Sequence, residues 1–201
     1  MHTADQIKKA ARKLFSQHGY KEITVSRIAE EVGIKAPSIY SHYKNKEDLF
    51  LQVFEETILE HVHHVKETIK KTENMDVERQ LFHMLYEASL YYTHDEDKIQ
   101  FLKYTMIFPP QKLKAEIKRS FYEAEKMFSD MLRRLFAEGM KQKKIRELPM
   151  EHLLSSFYCL LDGLFTQLLY NNNRTTFEAK LQHLWSIYWT GIRSSSLDLC
   201  E

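Results

Sequence analysis

The chain has 201 residues, of which 43% are hydrophobic and 28% charged, and its formal net charge is +1. That length allows one large domain or a small one followed by a larger one, and the apolar fraction is enough for a core. Two cysteines, Cys159 in an apolar helical pattern and Cys200 at the tail, exclude a disulfide framework and a cysteine metal site, and no apolar run approaches the ~20 residues of a membrane span. The start, MHTADQIKKAARKLF, reads as an amphipathic helix rather than an apolar signal segment, so the expected setting is the cytoplasm, with no membrane partner. With only 5 Gly and 4 Pro, strand-and-turn punctuation is sparse, and the expectation is an all-α chain of about nine helices. Charge is unevenly spread: residues 1–50 hold 9 Lys+Arg against 6 Asp+Glu, leaving 20 against 22 for the remainder. The excess lies in the direction that phosphate binding needs, although a mixed soluble surface produces such differences too.

In chain order, Thr3 and Gln6 form a capping pair for a first helix running to about Gln17. Ile7, Ala10, Ala11, Leu14 and Phe15 make its apolar stripe, and Gly19 stops it. A second helix starts at Thr24, a good N-cap flanked by the apolar pair Ile23 and Ile28, and ends at Gly33, which can take the left-handed conformation. Pro37 then stands where a first helical turn tolerates a missing N–H, opening a third helix over 36–43 with Ile39 turned inward. Pro37, Ser38, Tyr40, Ser41 and His42 are left outward for a partner. Asn45 with Asp48 caps a fourth helix.

Two short helices around a glycine turn have the form of a helix-turn-helix. At these residues the resemblance is specific: IKKAARKLFSQHGYKEITVSRIAEEV and GIKAPSIYSHYKNKEDLF resemble the DNA-binding domain of the TetR family of bacterial repressors over about residues 5–55. Lys35 and Ala36 stand where the family's pattern usually has a hydroxyl residue and then often a Lys. Beyond that stretch the resemblance is architectural, with LLDGLFTQ at 160–167 similar to a run common in the family's penultimate helix. It implies a helix-turn-helix domain over 1–50, with its recognition unit at 24–43, and a larger helical domain over 51–201 that binds an effector and dimerises. It also implies a palindromic double-stranded DNA operator and a small-molecule effector.

The fourth helix runs from Lys46 to about Lys71, long enough to join two domains. A polar loop to Asp76 precedes a fifth helix from Val77 to near 94–97. A short helix to Ile107 is stopped by Phe108, Pro109 and Pro110. A long seventh, carrying Leu113, Ile117, Phe121, Ala124, Phe128, Met131, Leu135 and Phe136, ends around Gly139. The last two, about Met150 to Tyr170 and Thr176 to Arg193, flank Asn171, Asn172 and Asn173. Both are apolar on more than one side, so they either sit centrally in one chain or meet a second copy. The candidate interface is Phe157, Leu161, Leu164, Phe165, Leu168, Leu184, Trp185 and Tyr188. Asp162 is expected as a capped polar group at that seam.

For DNA, the candidate residues are Thr24, Lys35, Ala36, Pro37, Ser38, Tyr40, His42, Tyr43, Lys44 and Lys46. Ala36 and Pro37 suit thymine methyls, Lys35 a guanine edge, and the rest phosphates. The third helix has no Arg, so affinity should rest largely on phosphates and fall with salt. The middle helices are rich in aromatics, which are usually core but can line an effector cavity. Candidates there are Ile58, His61, Val65, Leu85, Tyr92, Phe101, Tyr104, Phe108, Phe121 and Phe128. Ten histidines, with His61, His63 and His64 together and His83 and His94 downstream, raise a metal site, but no ligand spacing joins them. No metal and no cofactor is expected. No phosphate loop, Gly-x-Ser-x-Gly elbow or Cys-x-x-Cys supports an enzyme. The competing classes are a helix-turn-helix regulator without a small-molecule effector, and a carrier or enzyme built on the bundle.

Overall fold

The computed structural model describes residues 3–91, 95–168 and 174–194. These form nine α-helices: α1 Thr3–Glu22, α2 Val25–Val32, α3 Ala36–Tyr40, α4 Lys46–Lys71, α5 Val77–Leu90, α6 Glu96–Ile107, α7 Lys114–Lys141, α8 Met150–Gln167 and α9 Arg174–Ile192. A 3-10 turn, Gln111–Leu113, stands before α7. Among the described residues the only β pairing is an isolated bridge between Ile145 and Arg193, so the fold is all-α. The sequence-predicted Tyr92, His94 and Cys200, and the Asn171 to Asn173 connection, lie outside the described residues.

Local chemistry accounts for the helix ends. Thr24 caps α2, its Oγ1 accepting the Arg27 N–H at 3.2 Å, and Gly33 ends it at φ 78°, ψ 29°. There the Ile34 N–H reaches the Ala29 carbonyl at 2.9 Å, closing a left-handed C-cap. Asn45 and Asp48 cap α4 in tandem: Asn45 Oδ1 accepts the Asp48 N–H, and the Asp48 carboxylate accepts the Lys44 N–H, both at 2.8 Å. Asp76 and Asp95 do the same work for α5 and α6 through Arg79 and Lys98 amides at 2.9 and 3.0 Å.

Four boundaries differ from the sequence reading. Helix α5 ends at Leu90 rather than near 94–97, and α6 has already begun at Glu96. Helix α1 does not stop before Gly19 but bends there, at φ 75°, ψ 167°, and resumes to Glu22. Helix α3 ends at Tyr40 rather than 43, because the N–H groups of His42 and Tyr43 both turn back onto the Ile39 carbonyl. Helix α7 runs past Gly139 to Lys141. A side chain at Gly139 would meet Ile145 Cδ1 at 2.5 Å, so this glycine serves a close approach instead of a stop.

The chain divides into two compact units, Met1–Glu60 with His94–Ala124, and His61–Thr93 with Glu125–Glu201. In the first, Phe15, Phe50, Phe54 and Phe101 are almost fully buried. Phe50 meets Phe15, Tyr20 and Phe101 with ring centroids 5.1, 5.1 and 5.3 Å apart. Each such burial contributes about 1.5–3 kcal/mol, and edge-to-face geometry adds to it. Helix α6 is fastened to α1 at its start by Ser16 to Asp97, 3.2 Å, and Arg12 to Asp95, 3.7 Å. The second unit is centred on Leu81, Met84, Leu85, Phe136, Phe157 and Leu181. Tyr86 donates to Glu178 at 2.8 Å, and the hydroxyls of Ser129 and Tyr158 are 2.7 Å apart.

At Gly33 a Cβ would meet nothing within 4 Å, so Gly33→Ala isolates the left-handed backbone strain. It should lower stability by about 1–2 kcal/mol, measured as a reduced urea midpoint with unchanged slope.

Candidate nucleic-acid interface

The outward surface of the helix-turn-helix is built by burying its other face. Ile28, Ala29 and Ile39 are at most 2% exposed, which seats α2 and α3 on the core of the first unit. Pro37, Ser38, Tyr40, Ser41 and His42 are consequently left in solvent, with Lys35 and Lys44 beside them. Tyr40, 56% exposed, turns a large ring to solvent. Ser41 donates to the Ser38 carbonyl at 2.7 Å, closing the short helix on itself. Thr24, at the amide end of α2, is also exposed, and Arg27 one turn on projects from the same end. Arg27 is a cation that the sequence reading passed over by looking for arginine only in α3; its position three residues after a capped Thr was the available signal.

Two of the expected phosphate contacts have inward roles. Tyr43 is 3% exposed, and its hydroxyl donates to the Ala4 carbonyl at 3.1 Å. Burial, reinforced by Glu56, pushes this phenol up to about 12, so it remains a proton donor. The Lys46 ammonium donates to the carbonyls of Tyr20 and Ile23 at 2.7 and 2.6 Å, and lies 4.1 Å from the centre of the Tyr20 ring. Partial burial lowers its pKa. Ala36 is half-buried.

The expected effector residues do not form one set. Phe101 belongs to the aromatic core of the first unit, 6.4 Å from Phe15. Val65, Leu85 and Phe128 are buried in the second unit, and Ile58 is buried in the first. Phe121 is half-buried. Tyr104 and Phe108 border an open groove within the first unit. His61 donates through Nε2 to the Ala88 carbonyl at 3.1 Å and stacks on Tyr91 at 5.2 Å. Burial lowers its pKa to about 4, with His64 adding to the effect. His64 instead bonds Glu87 at 2.7 Å. Among the described residues no three His, Cys, Asp or Glu side chains gather to hold a metal ion.

Of the expected interface, Phe157, Leu164, Leu168 and Trp185 already spend their surface inside the chain. Leu161, Phe165, Leu184 and Tyr188 are half-buried, and Ile187 beside them is 73% exposed. Asp162, expected as a capped polar group at that seam, is exposed on α8.

A family described as bacterial regulatory proteins, tetR family, matches residues 7–53. Over that segment the chain is similar to the tetR family. The match spans most of α1, all of α2 and α3, and the start of α4. The fatty acid metabolism regulator protein of Bacillus subtilis is 35% identical over 66 residues, 33% of this chain and 34% of that protein. The aligned segments span about a third or less of the curated relatives' length. Solved structures extend a likeness of fold over most of the chain. The transcriptional regulator FadR from B. subtilis, in complex with stearoyl-CoA, has a TM-score of 0.76 at 22% identity, covering 94% of this chain and 98% of that one. A putative transcriptional regulator from Saccharomonospora viridis, in complex with choline, has a TM-score of 0.74 at 20% identity, covering 96% and 98%. At such identities the likeness concerns the fold. No helix among the described residues is long and apolar enough to cross a membrane.

Two outcomes follow from this geometry. Lys46→Met should remove both carbonyl contacts and lower stability by about 1.5–3 kcal/mol, the usual worth of hydrogen bonds to a charged group, as read by urea unfolding. For His61 the folded pKa lies below the unfolded value, so stability is full above about pH 6.5 and falls as pH drops towards 4. Native protein should therefore lose roughly 3 kcal/mol more than His61→Gln across that window, measured by denaturant titration at stepped pH.

Proposed function

We propose that this chain is a sequence-specific DNA-binding transcription regulator, a homodimeric repressor released from a palindromic operator by a small molecule. Residues 1–50 serve as the reading domain and 51–201 as the effector-binding and dimerisation domain. The observation that carries the reading is the outward set Pro37, Ser38, Tyr40, Ser41 and His42, held on a buried core inside the segment that matches the family. A short helix with exposed small and polar side chains fits a major groove. Ala36 and Pro37 offer apolar contact to thymine methyls, and Lys35 reaches a guanine edge. Ser38, Tyr40, His42 and Lys44 hold phosphates, joined at the amide end of α2 by Thr24 and Arg27. Tyr43 and Lys46 act from within, fixing the head's own geometry.

The dimer is supported by the apolar surface that α8 and α9 leave open at Leu161, Phe165, Leu184, Tyr188 and Ile187. Two-fold pairing there sets the reading heads one helical turn of DNA, ~34 Å, or more apart. The ligand half is supported by regulators of this fold that bind stearoyl-CoA or choline. A ligand releases DNA only by binding one spacing of the heads better than the other. A reader of chromosomal DNA works in the cytoplasm.

Selection of DNA from a random pool with the purified chain at physiological salt tests this. The expected product is an inverted repeat whose affinity falls steeply with salt, and Tyr40→Ala should weaken it by about 1–3 kcal/mol without loss of helical signal. An unenriched pool, bound weakly and equally by the variant, would overturn the regulator reading.

A further inference from the structure

A groove enclosing ≈ 980 Å³ is cut into the first compact unit. Its floor is apolar and its rim basic. Helix α6 buries Phe101, Leu102 and Thr105, yet its last turn leaves Tyr104, Ile107 and Phe108 46%, 62% and 65% exposed. Pro109 and Pro110 end the helix immediately after them and hold Phe108 outward at φ −125°, ψ 59°. The Tyr104 and Phe108 rings meet at 5.7 Å, so the exposed surface is one continuous patch and not scattered single residues. None of these three residues is needed for the unit's aromatic core.

The rim carries Lys21, Lys46, Lys112 and Lys114 against Glu22 and Glu47. Lys46 is committed to backbone carbonyls. Among the described residues, Lys21 and Lys114 have no acidic partner within ion-pair distance. An occupant that is apolar along its length and negative at one end would cover the exposed rings and meet these ammonium groups. We infer that the groove is a binding site for an amphipathic anion, an apolar chain bearing a carboxylate or phosphate head, lying on Tyr104 and Phe108 with its head among Lys21, Lys112 and Lys114. This rests on the reading that the chain responds to a small molecule, and it names the chemical class of that ligand and where it sits.

The test is isothermal titration of the full chain with dodecyl phosphate below its micellar concentration. Phe108→Ser and Lys112→Gln/Lys114→Gln are run in parallel, with circular dichroism as the check on folding. Phe108 is mostly in solvent, so its replacement leaves the core intact. The expected result is saturable binding to the native chain, weakened at least about tenfold in each variant and at least as much for dodecanol. Absence of saturable binding, binding in both variants equal to that of the native chain, or association with anionic vesicles alone would each overturn the site. Operator affinity is measured on the same samples. Binding lost in the variants establishes the site whether or not the probe releases DNA, so its failure and the failure of the repressor reading are read separately.

Discussion

The helix-turn-helix depends on one ammonium group. Lys46 stands at the first residue of α4, yet its side chain reaches back to the carbonyls of Tyr20 and Ile23. It thereby satisfies one backbone acceptor in the last turn of α1 and one in the connection to α2, while lying over the Tyr20 ring. Backbone acceptors at such a junction have no helical partner, and leaving them buried and unpaired is expensive. One side chain thus fixes the end of α1, the approach to α2 and the start of α4. The turn bearing Pro37 to His42 is held from both directions, with Tyr43 anchored on Ala4 at the far side.

That arrangement makes α6 part of the head's foundation. Phe101 enters the same ring cluster as Phe15 and Phe50, and Lys98 pairs with Glu60 at 2.7 Å while Arg12 lies by Asp95. A helix remote in sequence from the helix-turn-helix therefore stabilises it by burial and by partly enclosed charge pairs. Its final turn, by contrast, turns its rings out to solvent. The same short helix is core at one end and surface at the other, which is why its apolar residues do not follow a single helical stripe.

Much of this was legible in the sequence. Thr24, Gly33, Pro37, Asn45 and Asp76 are strong local signals, because capping and left-handed turns depend on a few adjacent atoms. The ends of α4 at Lys46 and Lys71, and of α6 at Ile107, follow from such signals. What periodicity does not carry is partner identity. Phe101 reads the same whether it meets Phe50 or lines a cavity. The inward roles of Tyr43 and Lys46 depend on carbonyls 39 and 26 residues away in sequence. Gly19 and Gly139 read alike as stops, and each proved instead to be a place where another element comes close. The apolar circumference of α8 was visible, but only packing reveals that Phe157 and Leu164 are spent within the chain while Leu161 and Phe165 retain surface.

Gly19 links two parts of the first unit that the sequence keeps apart. A Cβ built there would lie 2.9 Å from the Tyr104 hydroxyl oxygen, and the backbone has a positive φ as well. Position 19 is therefore under a double restriction, one from its own dihedral and one from a ring on α6. In lineages descended from this chain, a larger residue at 19 would be tolerated only with a smaller or displaced residue at 104. The two positions should drift together, and the width of the groove beside them would drift in step.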